Sequence, residues 1–237
     1  MNILRRRSLQ LSALAMIATT VAGGFSLSAQ AATTPTAATV ITAATKSLAK
    51  QTGVHIAVST EDDKALSTVV ADIGKSSGYE TYKKGGETFT ISVTPTYAYL
   101  SGSKTGLVSL MGLTATEAKK VGTKSIAIKK GSSQYTTFKT NLTSAAFSQL
   151  LPAVKGTTLL SSRDKSTGGY QLTWTTAATS TSPKTTSLLV ISSGSSTVPL
   201  KESVSTTSGK SSTTFTKWDK SFTVKIPSST IAYSKVF

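Results

Sequence analysis

From Gly53 onward the chain repeatedly places an apolar side chain at every second position, and this constrains its fold more than any other feature. Val54, Ile56 and Val58 alternate with His55, Ala57 and Ser59, and Phe89, Ile91 and Val93 alternate with Thr88, Thr90 and Ser92. A period of two belongs to a strand with one buried face. The same reading predicts strands over 66–73, 78–83, 96–100 and 123–128, with Lys84-Gly85-Gly86 as a hairpin turn and Glu61-Asp62-Asp63-Lys64 as a polar turn. Later strands are expected around Tyr170, Leu172 and Trp174, then over 188–191, 198–204, 213–218 and 222–226. Ser, Thr and Gly turns separate them, so consecutive strands should pair antiparallel.

Helical spacing interrupts this pattern in three places. Val40, Ile41, Ala44 and Leu48 predict a first helix from Pro35 to Thr52, stopped by Gly53. Leu107, Leu110 and Met111 predict a short helix, and Thr114 with Glu117 matches a capping box that opens another. Tyr135, Phe138, Leu142, Ala146, Phe147, Leu150 and Leu151 predict one or two more, ending at Pro152. About ten strands with three or four short helices is too β-rich for a βαβ fold. The expected class is α+β, mainly antiparallel, with a strongly curved sheet or barrel.

Before the first helix the chain reads as an export signal. Arg5, Arg6 and Arg7 precede an apolar stretch from Leu9 to Leu27, which ends in Ser28-Ala29-Gln30-Ala31, an A-x-A site predicting cleavage after Ala31. Thr19, Thr20, Gly23, Gly24 and Ser26 weaken this stretch as a membrane span. The expected organisation is a signal peptide over 1–31, a flexible leader over 32–39 and a single domain over 40–237. Cysteine is absent, so such a domain must be held by its core without disulfides.

Lys and Arg number 26 against 10 Asp and Glu, for a net charge of +16. Without the three leader arginines the excess is still large, and it is almost wholly lysine because Arg163 is the single arginine left. Nucleic-acid readers rely on arginine forks and interleaved aromatics, so no nucleic-acid partner is expected. A lysine-rich surface instead favours anionic wall polymers or anionic lipid headgroups.

Catalytic chemistry has few materials. His55 is the one histidine, it sits in an alternating strand, and no G-x-S-x-G elbow accompanies it. Glu61, Asp62 and Asp63 lack EF-hand spacing, and Asp164 and Asp219 stand alone near turns. The expectation is no catalytic residue, no metal, no cofactor and no enzymatic activity. Apolar surface remains, enclosing either a filled core or a cavity, and filled interiors are the rule.

Several local strings resemble the LppX/LprAFG family of actinobacterial envelope lipoproteins, which shares the half-barrel fold of the LolA and LolB carriers. They are Phe215-Thr216-Lys217-Trp218-Asp219-Lys220-Ser221-Phe222-Thr223-Val224, similar to that family's closing strand pair with its Lys-Trp bend, together with Thr94-Pro95-Thr96-Tyr97-Ala98-Tyr99-Leu100 and Val121-Gly122-Thr123-Lys124. The resemblance implies a curved half-barrel sheet with short helices on its concave face and an apolar pocket between them for an acylated lipid or lipoglycan. The family's lipobox cysteine is missing, Ala31 or Ala32 standing at the junction, which implies a secreted or envelope-associated protein without a lipid anchor. The pocket candidates are Val54, Ile56, Val58, Phe89, Ile91 and Val93 on the sheet side and Leu107, Leu110, Met111, Phe147, Leu150 and Leu151 on the helical side. The alternative is a basic structural or adhesive envelope protein whose core is filled.

Overall fold

A computed structural model describes residues 34–62, 65–152, 160–179 and 183–237. Helix α1 (Ala37–Leu48) starts where the Thr36 hydroxyl accepts the Thr39 amide, and its buried stripe is Ala37, Val40, Ile41, Ala44 and Leu48. It is shorter at both ends than the sequence spacing predicts. Capping by Thr36 sets the first turn, and the last residues of the expected leader are already helical. Strands β1 (Gly53–Asp62), β2 (Ala65–Gly74), β3 (Gly78–Lys84), β4 (Glu87–Val93) and β5 (Tyr97–Gly102) then form an unbroken antiparallel meander. The β1 ladder continues through Glu61 and Asp62, which pair with Leu66 and Ala65. These two residues therefore belong to a strand end and not to the expected four-residue turn; Asp63 and Lys64 lie outside the described residues.

Helices α2 (Lys104–Ser109) and α3 (Ala115–Val121) fill the predicted helical interruption, α3 with both halves of the Thr114/Glu117 capping box formed. Strand β6 (Ser125–Lys129) follows, then α4 (Ser133–Asn141) and a 3₁₀ helix (Ser144–Leu150). Strands β7 (Leu160–Arg163), β8 (Tyr170–Thr176), β9 (Thr185–Ile191), β10 (Pro199–Ser205) and β11 (Gly209–Thr216) make a second antiparallel meander. The short β12 (Thr230–Ala232) runs parallel to β6 on the outer edge.

Among the described residues, twelve strands form one sheet in the order β12-β6-β5-β4-β3-β2-β1-β11-β10-β9-β8-β7. It is an open, curved, mainly antiparallel sheet with short helices on its inner face, as expected for a half-barrel. The two meanders join at its centre, where β1 takes β11 as its second neighbour with His55 opposite Thr216 and Val58 opposite Thr213.

The segment 222–226, expected as a strand, has no ladder partner. Both edges of β1 are already taken by β2 and β11. The chain also turns sharply after Thr216, since Lys217 and Asp219 adopt positive φ of 51° and 60°, a region that L-residues seldom occupy outside turns. This bend ends β11 two residues earlier than predicted. It is pinned by the Asp219 amide donating to the Gly53 carbonyl, the Thr52 amide donating to Asp219 Oδ1 and the Trp218 indole donating to the Pro199 carbonyl.

Gly53 is the seat of this bend. A Cβ there would stand 2.1 Å from the Lys220 carbonyl oxygen and 2.8 Å from the Phe222 ring. Backbone atoms cannot yield as a flexible side-chain tip can, so Gly53→Ala should destabilise the protein by about 2 kcal/mol or more. Urea unfolding is the measurement, and a loss within experimental error would show that the bend does not hold the centre of the sheet.

Candidate functional site

Alternation and register define the inner face residue by residue, because antiparallel partners project to the same side. Its middle row crosses the sheet as Leu172, Leu189, Glu202, Thr213, Val58, Val69, Tyr82 and Phe89, each opposite the next. The apolar candidates lie in two packed groups along this face. Val54, Ile56, Phe147, Leu150 and Leu151 belong to one buried cluster, with Val58 packed against it. Phe89, Ile91, Val93, Leu107 and Met111 belong to another, with Leu110 packed against it. Helix α1 and the 3₁₀ helix contribute to the first cluster, and α2, α3 and α4 to the second.

Between the two groups the face is less covered. Val58, Val69 and Tyr82 are half-buried, whereas Phe89 at the end of the same row is only 2% exposed. A separate cleft of about 290 Å³ lies beside the first cluster, where the end of α1 meets the 3₁₀ helix. Leu48 and Phe147 line it together with Lys50 and Lys75. Phe147 is its only wall residue among the apolar candidates.

Besides the Tyr82 phenol, the middle row holds two polar groups, Glu202 and Thr213, that sequence reasoning did not single out. Glu202 stands between Leu189, 1% exposed, and Thr213, 5% exposed. Among the described residues the Glu202 carboxyl and the Thr213 hydroxyl make no side-chain hydrogen bond, and Glu202 has no ion pair. Burial pushes the Glu202 carboxyl up to about 7 from its ordinary 4.5, because desolvation disfavours the charged form. One signal was available in the sequence: Glu202 is two residues from Val204 and so shares its face.

Other titratable groups lie elsewhere. His55 projects from the outer face, where its Nδ1 lies 2.5 Å from Asp72 Oδ1. Tyr79, on the next strand, is raised above its ordinary value by burial and then by its hydrogen bond to Asp72. Asp164 is held below its ordinary value by hydrogen bonds from the hydroxyl of Ser166 and the amide of Thr167, and it closes a turn. Glu61 meets Lys210 across the β1–β11 ladder at 3.0 Å. Among the described residues no three His, Asp or Glu side chains converge as metal ligands, and no helix is long and apolar enough to cross a membrane. The geometry offers apolar contact and hydrogen bonding.

No protein-family model matches the chain, and no curated protein does either. Among solved structures it is similar to LprF from Mycobacterium bovis, at 11% identity and a TM-score of 0.46, covering 80% of this chain and 95% of that one. It is also similar to the Mycobacterium tuberculosis lipoprotein LppX, at 17% identity and a TM-score of 0.42, covering 79% and 97%. An uncharacterized conserved protein from Thermus thermophilus is similar at 8% identity and a TM-score of 0.43, covering 83% and 98%.

Because the folded-state value of Glu202 lies above 4.5, its contribution to stability is fully present below pH 4.5 and is lost as pH climbs through 7. The difference corresponds to about 3 kcal/mol at most. Glu202→Gln should flatten the fall in stability between these pH values, which urea midpoints measured across the range would show. An unchanged slope would mean that this carboxyl is well solvated.

Proposed function

We propose that this chain is a secreted, non-lipidated carrier of the cell envelope that holds the acyl chain of a lipid or lipoglycan between the curved sheet and its helices. The observation that carries the reading is the half-covered row Val58, Val69 and Tyr82, which links two filled clusters across the inner face. An acyl chain laid along it would bury further apolar surface at about 0.8 kcal/mol per methylene before ordering costs. The short α2, α3 and α4 and the 3₁₀ helix cover this face as separate pieces, so the cover can part without breaking a long helix. The other candidate residues, packed in the two clusters, would form the walls on either side of the row. No reacting group is required, and the reading is of a binding protein. The strings that resemble the LppX/LprAFG family point the same way, and the lysine-rich surface favours residence near anionic envelope polymers.

The protein expressed from Ala32 and purified natively should release acyl lipid on organic extraction, as detected by mass spectrometry, or should take up an added fluorescent fatty acid. Val69→Trp, which fills the row, should weaken uptake at least tenfold while leaving the circular dichroism spectrum unchanged. Folded protein that carries no lipid and takes up no probe would overturn the reading and favour a filled-core, lysine-mediated envelope protein.

A further inference from the structure

Glu202 and Thr213 face each other on β10 and β11 in the middle of the inner face, flanked by Leu189 and Leu172 on one side and Val58 on the other. Among the described residues neither side chain is hydrogen-bonded through its polar atoms. Directly opposed residues of an antiparallel pair have Cβ atoms about 5 Å apart, so one small group can reach both. We propose that Glu202 and Thr213 form a recognition site for a hydroxyl group borne by an otherwise apolar acyl ligand. This rests on the acyl-binding reading and names the polar chemistry within that site.

The hydroxyl is selected by elimination among ligand groups. The Thr213 hydroxyl supplies a donor, and the Glu202 carboxylate supplies acceptors. A group that donates to the carboxylate and accepts from the hydroxyl must itself do both. An ammonium could donate to the Glu202 carboxylate and to the Thr213 oxygen, but the strongly basic chain repels a cationic ligand. A ligand phosphate or carboxylate would meet the ionised Glu202 as a like charge. An ester has no donor for the carboxylate. A hydroxyl donates to Glu202 and accepts from Thr213, and it does so whether or not the carboxyl is protonated, since the acid form can donate in turn. The raised proton affinity of Glu202 agrees with a carboxyl held without a cation.

The test compares two neutral probes with the same acyl chain, monopalmitoylglycerol and methyl palmitate, by competition against a bound fluorescent fatty acid. Only the ratio of their affinities is read, so differences in aqueous solubility cancel between variants. Wild-type protein should favour monopalmitoylglycerol, and Glu202→Leu and Thr213→Val should each cut the ratio at least fivefold while methyl palmitate binding stays level or improves. Glu202→Gln, which can still donate and accept, should keep most of the preference. If either of the first two variants fails to fold, the other decides. A ratio unmoved by the folded variants, with both probes binding, would overturn the hydroxyl site and leave acyl binding standing. Failure of wild-type protein to bind either probe would overturn both.

Discussion

The structure depends on the two ladders made by β1. One runs to β2 and is local, while the other runs to β11 and joins residues such as His55 and Thr216 that lie far apart in the chain. Without the second ladder the molecule would be two separate meanders with two open edges each. With it, the N-terminal and C-terminal strands become one sheet and their inner faces become continuous. A shift of one residue in this register would turn Thr213 and Phe215 outward and bring Thr214 and Thr216 in, because side chains alternate with a strict period of two. The bend at Lys217 to Asp219 guards against that shift by hydrogen-bonding the residues that open β1.

Joining the meanders also explains why the inner face is covered in two pieces. The helices arise where the chain leaves one strand and returns to another, between β5 and β6, and then between β6 and β7, with α1 leading into β1. Each is too short to reach across the sheet. Cover therefore builds up over β4 to β6 on one side and around α1 on the other, and each piece fills its own cluster to low exposure. The middle of β1 to β3, at Val58, Val69 and Tyr82, falls between them. Their middle row is half-buried because of where the connections lie, although its residues are as apolar as those beside it.

Much of this was legible in the sequence, and the reasons for the failures are physical. The alternation of β1 and β4 named the correct inner residues because a sheet with one buried face enforces it, and Thr114 with Glu117 announced α3 because the capping box is a local interaction. In β2, Val69 and Val70 are adjacent apolar residues, so the sequence alone cannot say which faces inward; pairing with Val58 decides it, and Val70 is left 36% exposed. Residues 222–226 carry a strand-like pattern, but they start beside β1, both of whose edges are taken by β2 and β11. Three-residue β12 is too short to show a period at all. The apolar candidates, expected on both sides of one pocket, are packed by the fold in two groups on one face, a distinction set by long-range pairing that no local window contains.

The two kinds of contact on this face would divide the work of recognition unequally. Apolar contact along Val58, Val69 and Tyr82 gains with every methylene and so favours long chains, but it distinguishes poorly between ligands of similar length, one methylene in a hydrophobic pocket being worth only about 1–3 kcal/mol of discrimination. A site containing polar groups that await a partner behaves differently, since a ligand lacking that partner leaves them unpaired and desolvated. Glu202 and Thr213 are placed where an acyl chain on the row would pass between Leu189 and Val58. Substituting apolar residues there would ease burial of the face, and under the proposed reading it would also remove the polar pair that tells a hydroxylated acyl ligand from one without a hydroxyl.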